Sequence, residues 1–393
     1  MQKVVIVAAK RTPVGSFLGE LSSLSVTQLG SIVIKDILKT TKINPEIVDE
    51  VIMGNVLSAG VGQAPARQAA LFAGLPNKTE CLTINKMCGS GLKAVMLAHQ
   101  AIKCGDAEVV IAGGMESMSN APYLLTEARK GYRLGNSKLI DHMIVDGLWD
   151  VYNNIHMGSC AEACAKDFNF TRQMVDEFAI ESYRRALEAQ KNHKFDEEIT
   201  EVEILTKKEK VIVKEDEEPK KVKFDKISLL APAFEKDGIV TAANSSKIND
   251  GAAALLVMTE KKAKELGLTP LVEIVEQASA AKAPIEFPTA PADAISKVIK
   301  KANLKIDQID LFEINEAFAV VSLAVNKLLG LDASKVNVNG GAVALGHPIG
   351  ASGARILTTL IYELRRRQLN LGIASLCIGG GEASALIVKN YKG

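Results

Sequence analysis

The chain has 393 residues, of which 47% are hydrophobic and 24% are charged, and its formal net charge is +1. This length and balance are typical of a soluble globular protein with two or three domains. The near-zero charge excludes a strong field for nucleic acid or an anionic membrane surface, and no uncharged apolar run reaches the roughly 18 residues that span a bilayer.

The cysteines and the N-terminal segment together indicate a reducing compartment. Six cysteines in so long a chain do not form the dense pattern of a disulfide framework, so free thiols are expected. Residues 3–7 already have the pattern of a buried strand, which leaves no room for a targeting peptide. The expected location is the cytoplasm, with a processed mitochondrial form as the alternative.

The predicted elements, taken in chain order, occur in two copies. The first copy consists of an apolar segment at 48–55, a strand at 82–85, a nearly uncharged helix at 89–98, a strand at 109–114 and a strand at 252–258. The second copy has the same order at 309–315, 336–339, 350–360, 373–381 and 383–388. In the first copy a long insertion separates the last two strands.

This alternation predicts an α/β fold. Continuous apolar strands indicate sheets that are covered on both faces, and helices that are apolar nearly all round indicate a buried helix layer. One such helix per copy suggests two sheets on either side of a central helix layer. We predict one half from residues 1–120 with 249–270, a second half from 271–393, and a separate insertion at 121–248.

The insertion differs in composition from both halves. It contains Trp149, an amphipathic stretch at 172–191 and a dense charge run at 207–223. The charge run is interpreted as a solvated hairpin, and the alternative is a basic edge that holds an anionic ligand. A large insertion between two sheet strands is also a common place for substrate recognition.

Cys88 lies between a predicted strand end and a helix start, in the sequence Met-Cys-Gly-Ser-Gly. Unpaired backbone N–H groups and the positive end of the helix dipole favour a thiolate there, and the glycines permit close approach of a substrate. The alternative for a single cysteine in an apolar context is a core residue. Cys88 is therefore a candidate nucleophile.

His347 occupies the corresponding turn of the second copy, in the sequence Gly-His-Pro-Ile-Gly. If a pseudo-dyad relates the two copies, the two helix-start turns face each other and His347 lies near Cys88. A cysteine and a histidine in that arrangement make an activated nucleophile. The alternative is a loop histidine without a function.

Other positions also carry candidate chemistry. Cys377 ends an apolar strand before three glycines, which suggest close approach of a ligand and free N–H donors; the alternative is a small buried hydrophobe. Asn315 follows a predicted strand and is either a helix cap or a functional amide. Cys160 and Cys164 are interpreted as structural, because no further ligand completes a metal site.

Together these segments resemble the thiolase family over essentially the whole chain. The matching segments, in order, are 85–94, 113–118, 156–158, 249–253, 315–318, 346–348 and 377–381. The resemblance implies a five-layer αβαβα sandwich of two repeated halves, with the insertion as a loop domain that binds coenzyme A. It also implies an acyltransferase for acyl-CoA substrates, without a covalently bound cofactor or a metal, assembled as a homotetramer that is a dimer of dimers.

The resemblance implies roles for individual residues. Cys88 is the acylated nucleophile, His347 takes its proton, and Cys377 removes the α-proton of the second acyl-CoA. One oxyanion hole uses His347 with a water held by Asn315, and the other uses the backbone N–H groups of Cys88 and Gly379. The implied substrate-binding residues are His156, Met157, Ser246, Ala317, Phe318 and Leu148.

The same resemblance suggests the substrate. His156 and Met157 are similar to the acyl pocket of short-chain members, so condensation of two acetyl-CoA molecules is expected, and Ser246 is expected to contact the pantetheine arm. The alternative is a broader range of 3-ketoacyl-CoA that includes 2-methylacetoacetyl-CoA. Some similar members bind potassium near residues 214–219, partly through a Tyr; Pro219 at the matching position leaves potassium disfavoured but open.

Two other functions compete with this interpretation. A decarboxylating ketoacyl synthase on the same fold pairs its nucleophile with two His, or with His and Asn, whereas here Cys377 stands where the α-proton is removed. A catalytically silent CoA- or lipid-binding protein is disfavoured because Cys88, His347 and Cys377 are all present.

Overall fold

The computed structural model describes residues 2–205 and 209–391. Its strands, in chain order, are β1 (Val4–Arg11), β2 (Gly15–Ser16), β3 (Glu50–Gly54), β4 (Glu80–Ile84), β5 (Val109–Ser117), β6 (Tyr123–Leu124), β7 (Ile140–Asp141), β8 (Trp149–Asp150), β9 (Ile155–His156), β10 (Val202–Leu205), β11 (Lys210–Val213), β12 (Asn249–Thr259), β13 (Val272–Ala281), β14 (Leu311–Ile314), β15 (Leu371–Ile378) and β16 (Glu382–Asn390).

The helices alternate with the strands in both halves, as the repeat predicts. They are α1 (Val26–Thr41), α2 (Pro65–Phe72), α3 (Ser90–Cys104), α4 (Met157–Asp167), α5 (Arg172–Lys191), α6 (Glu260–Glu265), α7 (Ala290–Lys301), α8 (Ala319–Leu329), α9 (Ala342–Leu345) and α10 (Ser352–Arg366). Across residues 2–205 and 209–391, no helix combines the length and apolarity that crossing a bilayer requires.

The long strands form one mixed sheet in the order β14-β15-β16-β13-β1-β12-β5-β3-β4, with β2 paired to β12. β3 runs parallel to β4 and β5, and β14 runs parallel to β15. The two halves meet where Val5 and Ile6 of β1 lie opposite Glu273 and Val272 of β13. The two predicted sheets are therefore joined edge to edge.

Alternate residues of one strand face different layers of the core. In β3, Val51 and Met53 pack with α1 and α2, whereas Ile52 packs with α3 and α10. A third apolar cluster joins α7 and α8 to the other face of the second half, for example at Ile314. Because the side-chain period of a strand is two, strands covered on both faces are apolar throughout. The resulting order is helix, sheet, helix, sheet, helix.

The two central helices touch where each begins. A Cβ on Gly91 would lie 2.8 Å from the backbone N of Ala354, and a Cβ on Gly353 would lie 2.3 Å from the backbone N of Leu92. Any side chain at either glycine would therefore separate the helices. This reciprocal contact places two helix N-termini next to each other, as the pseudo-dyad predicts.

One predicted strand, at 336–339, is wrong. Val336 forms only an isolated bridge with Phe312, and Asn337 has a left-handed φ of +46°. The Asn337 side chain accepts a hydrogen bond from the N–H of Ile314 and donates one to the carbonyl of Ile314, both at 2.7 Å. Because this amide supplies the bonds that a neighbouring strand would make, the backbone turns away from the sheet.

The insertion contains the amphipathic helix and the hairpin that the sequence predicts. α5 spans the stretch at 172–191, and β10 pairs with β11 so that Val202 lies opposite Val213. The charge run begins at Lys207, which lies outside the described residues. Further along it, Lys221 forms an ion pair with Glu217.

A buried ion network ties the insertion to the first half. Arg11 donates from Nε to Glu198 at 2.6 Å, and from both terminal nitrogens to Asp216 at 2.6 and 3.0 Å. All three side chains are buried. The solvated interpretation of the charge run is therefore wrong at Asp216. Burying these charges is tolerable because each is paired and hydrogen-bonded.

Candidate active site

Cys88 lies in a sharp turn between β4 and α3. Met87 has a φ of +46°, which is uncommon for a residue with a Cβ. Asn85 Oδ1 accepts the N–H of Met87 at 2.9 Å, and Ser90 Oγ accepts the N–H of Lys86 at 2.8 Å and donates to the Met87 carbonyl at 2.6 Å. Such strained turns persist where the surroundings fix them, as at active sites. This one leaves Cys88 half-buried just ahead of the first helical residue.

The electrostatic setting of Cys88 differs from the sequence-based expectation. Burial raises the pKa of the Cys88 thiol to about 11, although the backbone N–H groups of Gly379 and of Cys88 itself lower it. Desolvation thus opposes the thiolate that the helix N-terminus favours. The thiol needs a base that removes its proton as it attacks.

His347 is a buried residue in the loop between α9 and α10. Its backbone N–H donates to Asn249 Oδ1 at 2.9 Å. Its Nδ1 lies 2.5 Å from Ser352 Oγ, and the Ser352 hydroxyl donates to the Pro348 carbonyl at 2.9 Å. With the serine proton on the Pro348 carbonyl, Nδ1 carries the hydrogen of the ring and donates it to Ser352, and this is the tautomer that we assign.

This tautomer leaves the lone pair of His347 on Nε2. That atom is buried and has no hydrogen-bond partner among the described residues. Burial, together with the positive charge of Arg355, lowers the pKa of His347 to about 3. The ring is therefore neutral near pH 7, with a free acceptor that can take a proton.

Ser352 gives a direct test of this arrangement. Ser352→Ala removes the acceptor that fixes the tautomer, so kcat is expected to fall by about 10–100-fold, the usual cost of losing an orienting partner. KM is expected to change little, because the hydroxyl is buried behind the imidazole. Steady-state thiolysis rates measure both parameters.

Thr358→Val is the matched control for Ser352→Ala. Thr358 also lies on α10, and its hydroxyl donates to the carbonyl four residues earlier at 2.9 Å. This variant loses the same kind of bond six residues further along the helix from Ser352, and it is expected to keep its kcat. Equal rates for Ser352→Ala and the unmodified chain would contradict the orienting role.

Cys377 lies near the end of β15, buried and opposite Ala383 of β16. Burial raises the pKa of the Cys377 thiol well above its ordinary value, and the neighbouring Cys88 raises it further. Cys88 thus lies close enough to affect the ionisation of Cys377. Beyond the strand, a Cβ on Gly379 would lie 3.8 Å from Met87 and 3.9 Å from Met157 Cε. The end of β15 therefore meets the Cys88 turn.

Asn315 follows β14 and is buried beside His347. Its Nδ2 lies 3.4 Å from His347 Nδ1, which is long for a hydrogen bond, and its Oδ1 has no partner in the described part of the chain. The helix-cap interpretation is wrong, because α8 begins at Ala319 with Phe318 at its N-cap position. Buried polar atoms without protein partners are candidates for ligand or water contacts.

An aromatic wall connects the insertion to the second half. The His156 ring stacks on Phe234 with centroids 4.7 Å apart, and Phe234 meets Phe318 edge-on at 6.0 Å. Phe318 in turn contacts Phe287 at 6.4 Å. Sequence reasoning missed Phe234, because no pattern marks an isolated aromatic residue in a loop.

The other predicted substrate residues surround the same region. Met157 packs against the apolar cluster that contains Cys377 and Ala317. The N–H of Ser246 donates to the Ala317 carbonyl at 2.9 Å. Leu148 packs in a separate cluster with Cys88.

Glu116 is a further residue that sequence reasoning did not single out. Its buried carboxylate accepts hydrogen bonds from Asn55 Nδ2 at 2.7 Å and from the N–H groups of Val56, Leu57 and Gly350 at 2.9–3.1 Å. Burial raises the pKa of Glu116 to about 7, against the opposing effect of these donors. The carboxylate holds the turn after His347 against the first half.

The comparisons with known proteins agree with this architecture. Family models described as "Thiolase, N-terminal domain" and "Thiolase, C-terminal domain" match residues 4–261 and 268–390. An acetyl-CoA acetyltransferase of Cupriavidus necator is 55% identical over 391 residues, which cover 99% of this chain and 100% of that relative.

Solved structures give the same result. The acetyl-CoA acetyltransferase of Bacillus anthracis has a TM-score of 0.97 at 43% identity, covering 100% of this chain and 99% of that one. A thiolase from Ascaris suum, solved in complex with coenzyme A, has a TM-score of 0.94 at 44% identity, covering 99% of this chain and 100% of that one. The chain therefore belongs to the thiolase family, and the predicted five-layer fold is confirmed. Within the family it groups with the acetyl-CoA acetyltransferases, and it is accordingly an acyltransferase.

Proposed function

We propose that this chain condenses two acetyl-CoA molecules reversibly to acetoacetyl-CoA and free CoA, with the acetyl group carried on Cys88. The observation that carries the proposal is that Cys88 lies close enough to Cys377 to affect its ionisation, and that Ile349, two residues after the neutral His347, packs in the same apolar cluster as Cys88. The activity named for its relatives supports the same reaction.

The first half-reaction forms the acyl-enzyme. Cys88 Sγ attacks the thioester carbonyl of acetyl-CoA while His347 Nε2 takes the thiol proton, and the proton then passes to the departing CoA sulfur. The N–H groups of Cys88 and Gly379, which approach Cys88 Sγ, are proposed to bind the negatively charged oxygen that forms when the carbonyl is attacked. Such preorganised donors typically supply about 2.7–4 kcal/mol each.

The second half-reaction forms the carbon–carbon bond. Cys377, in its thiolate form, removes an α-proton from a second acetyl-CoA, and the resulting carbanion attacks the acetyl group on Cys88. The bond from the acetyl carbon to Cys88 Sγ breaks, acetoacetyl-CoA leaves, and Cys377 passes the α-proton to the released Cys88 thiolate. In the cleavage direction Cys377 returns the proton, which suits a thiol whose raised pKa keeps it protonated at rest. A water held by Asn315 Oδ1 is proposed to donate to the second oxyanion, together with His347 when its Nε2 carries a proton.

The insertion at 121–248 is proposed to bind coenzyme A. It supplies His156, Met157 and Phe234 to the wall of the site, and Ser246 at its end lies on Ala317. A substrate bound between the insertion and the second half would therefore contact residues of both. Ser246 is proposed to contact the pantetheine arm.

Chain length of the substrate tests the proposed function. Gly379, Met87 and Met157 lie close together beside Cys88, so little room is left for an acyl chain on its sulfur. Thiolysis of acetoacetyl-CoA is expected to exceed that of a long-chain 3-ketoacyl-CoA by roughly a hundredfold in kcat/KM. Measuring both, together with 2-methylacetoacetyl-CoA, also defines the tolerance for branching.

Met157→Ala is expected to narrow this ratio by making room in the pocket. Met174→Ala is the matched control, since Met174 lies exposed on α5. Equal turnover of short and long substrates by the unmodified chain would overturn the short-chain assignment. It would favour the broader 3-ketoacyl-CoA thiolase.

We also propose a homotetramer in a reducing compartment such as the cytoplasm. Large apolar side chains stand exposed between 123 and 152, among them Tyr123, Leu134, Leu139, Val151 and Tyr152, and exposed apolar patches favour association. Each of the six cysteines is a free thiol. Sedimentation measures the number of subunits in the assembly.

Pro219 is buried and has no side-chain oxygen for an ion, so a reaction without potassium is proposed.

A further inference from the structure

The ammonium group of Lys247 contacts backbone carbonyls, whereas a typical surface lysine pairs with a carboxylate. Its Nζ donates to the backbone carbonyls of Ala242 at 2.6 Å, Ser245 at 2.8 Å and Val343 at 3.4 Å. An ammonium group has three N–H donors; the carbonyls of Ala242 and Ser245 accept two of them at short distance, and the more distant Val343 carbonyl faces the third. A neutral amine has one donor fewer, so this arrangement is made for the charged form.

The surroundings of Lys247 favour a cation. Nζ lies 5.5 Å from the centroid of the buried Tyr183 ring, within the range of a cation–π contact. Burial lowers the pKa of Lys247 to about 8, against the raising effect of Glu218. The ammonium therefore remains the main form near pH 7. Sets of backbone carbonyls that replace a hydration shell are also how proteins hold bare monovalent cations.

The three carbonyls belong to two segments of the site. Ala242 and Ser245 lie in the loop that brings Ser246 to Ala317, whereas Val343 belongs to α9, four residues before His347. Two residues after Lys247, Asn249 Oδ1 accepts the backbone N–H of His347. The segment with Ser246 thus braces the segment with His347 at two points, and one of them is the ammonium.

We propose that Lys247 is a positioning residue whose ammonium acts as a tethered cation, holding the Ser246 loop against the segment that carries His347. It fills a carbonyl cage that a free monovalent cation would otherwise occupy. The inference rests on the proposed function only in that both segments serve the same acyl-CoA site. Sequence reasoning missed Lys247, because its partners are backbone atoms from distant segments.

Two substitutions separate the charge from the space it fills. Lys247→Ala vacates the cage, and Lys247→Met keeps most of the side-chain volume without the charge. Both are expected to raise KM for acetoacetyl-CoA and CoA by about tenfold, with a smaller change in kcat, because hydrogen bonds to a charged group are lost away from the reacting atoms. Rates of the unmodified chain are expected to be equal in potassium and tetramethylammonium salts at the same ionic strength.

Rescue by free cations is the decisive measurement. Potassium or ammonium is expected to restore the KM of Lys247→Ala, where the cage is open, and not that of Lys247→Met, where a methyl group fills it. Tetramethylammonium is too large to enter and should restore neither. Lys327→Ala is the control, and its KM is expected to match that of the unmodified chain. Lys327 also donates to a backbone carbonyl, at 3.2 Å, and lies over the rings of Phe168 and Phe170.

Three outcomes would overturn the proposal: activation of the unmodified chain by potassium, unchanged KM in Lys247→Ala, or a loss in that variant that no cation reverses. The last would make Lys247 a merely structural residue, and thermal unfolding of both variants would show it as a shared loss of stability. Trapping of the acetyl group on Cys88 in the same preparations reports the proposed function separately, because acylation of the unmodified chain does not depend on the role of Lys247.

Discussion

Replacing Cys88 by Ala is expected to abolish both thiolysis and condensation, with a loss in kcat on the order of 10⁴–10⁶, as for other covalent nucleophiles. The variant keeps His347, Cys377 and the N–H groups of the oxyanion site, but it has no atom that can carry the acetyl group. Incubation with labelled acetyl-CoA, followed by denaturation and peptide mapping, should therefore find no acetyl label on any cysteine of this variant.

Cys104→Ala is the matched control for this experiment. Cys104 ends α3, the helix that Cys88 precedes, and its thiol is exposed. This variant is expected to be acylated and to turn over like the unmodified chain. Label that persists on Cys88→Ala at a different cysteine, together with normal turnover, would show that another thiol is the nucleophile.

Replacing Cys377 by Ser is expected to separate the two half-reactions. Acylation of Cys88 needs no α-proton removal, so labelled acyl-enzyme should still form at a normal rate. Condensation should fall by about 10²–10⁴-fold, the usual contribution of a general acid–base group, because a hydroxyl is a much weaker acid than a thiol and does not supply the base. Single-turnover labelling and condensation assays on one preparation measure the two effects.

Cys160→Ser controls for loss of a buried thiol. Cys160 is buried on α4, and its thiol donates to Asp150, a bond that a hydroxyl can also make. This variant is expected to condense normally. If Cys377→Ser condenses at the unmodified rate, Cys377 is not the carbon base. If it fails to acylate as well, its role lies in the first half-reaction.

The repeat in the sequence was sufficient to predict the layers. Apolar segments such as 109–114 have the continuous pattern of strands covered on both faces, and β5 is buried along its whole length. The strand at 336–339 could not be rejected, because its loss depends on the Asn337 side chain bonding to Ile314. That contact joins residues that only the fold brings together.

The candidate site likewise contains residues that the local sequence identified and residues that it could not. Positions at turns identified Cys88 and His347, since a helix start and a glycine turn are local features. Ser352 and Glu116 were missed because their roles depend on partners rather than on local pattern; Glu116 and Gly350 are 234 residues apart. The raised pKa of Cys88 could not be inferred for a related reason: the sequence shows the helix start, which favours a thiolate, but not the burial that raises the pKa.

The ion network at Arg11 bears on the history and the engineering of this chain. From its sequence alone the insertion resembles a separable segment, whose excision would leave a smaller protein made of the two halves. Excision would take Glu198 and Asp216 with it and leave the guanidinium of Arg11 without either partner; removing one partner of a buried ion pair typically costs about 3–5 kcal/mol. A shortened descendant would need an apolar residue in place of Arg11. The insertion and the first half are therefore not independent. An exchange of the insertion between relatives has to include Arg11.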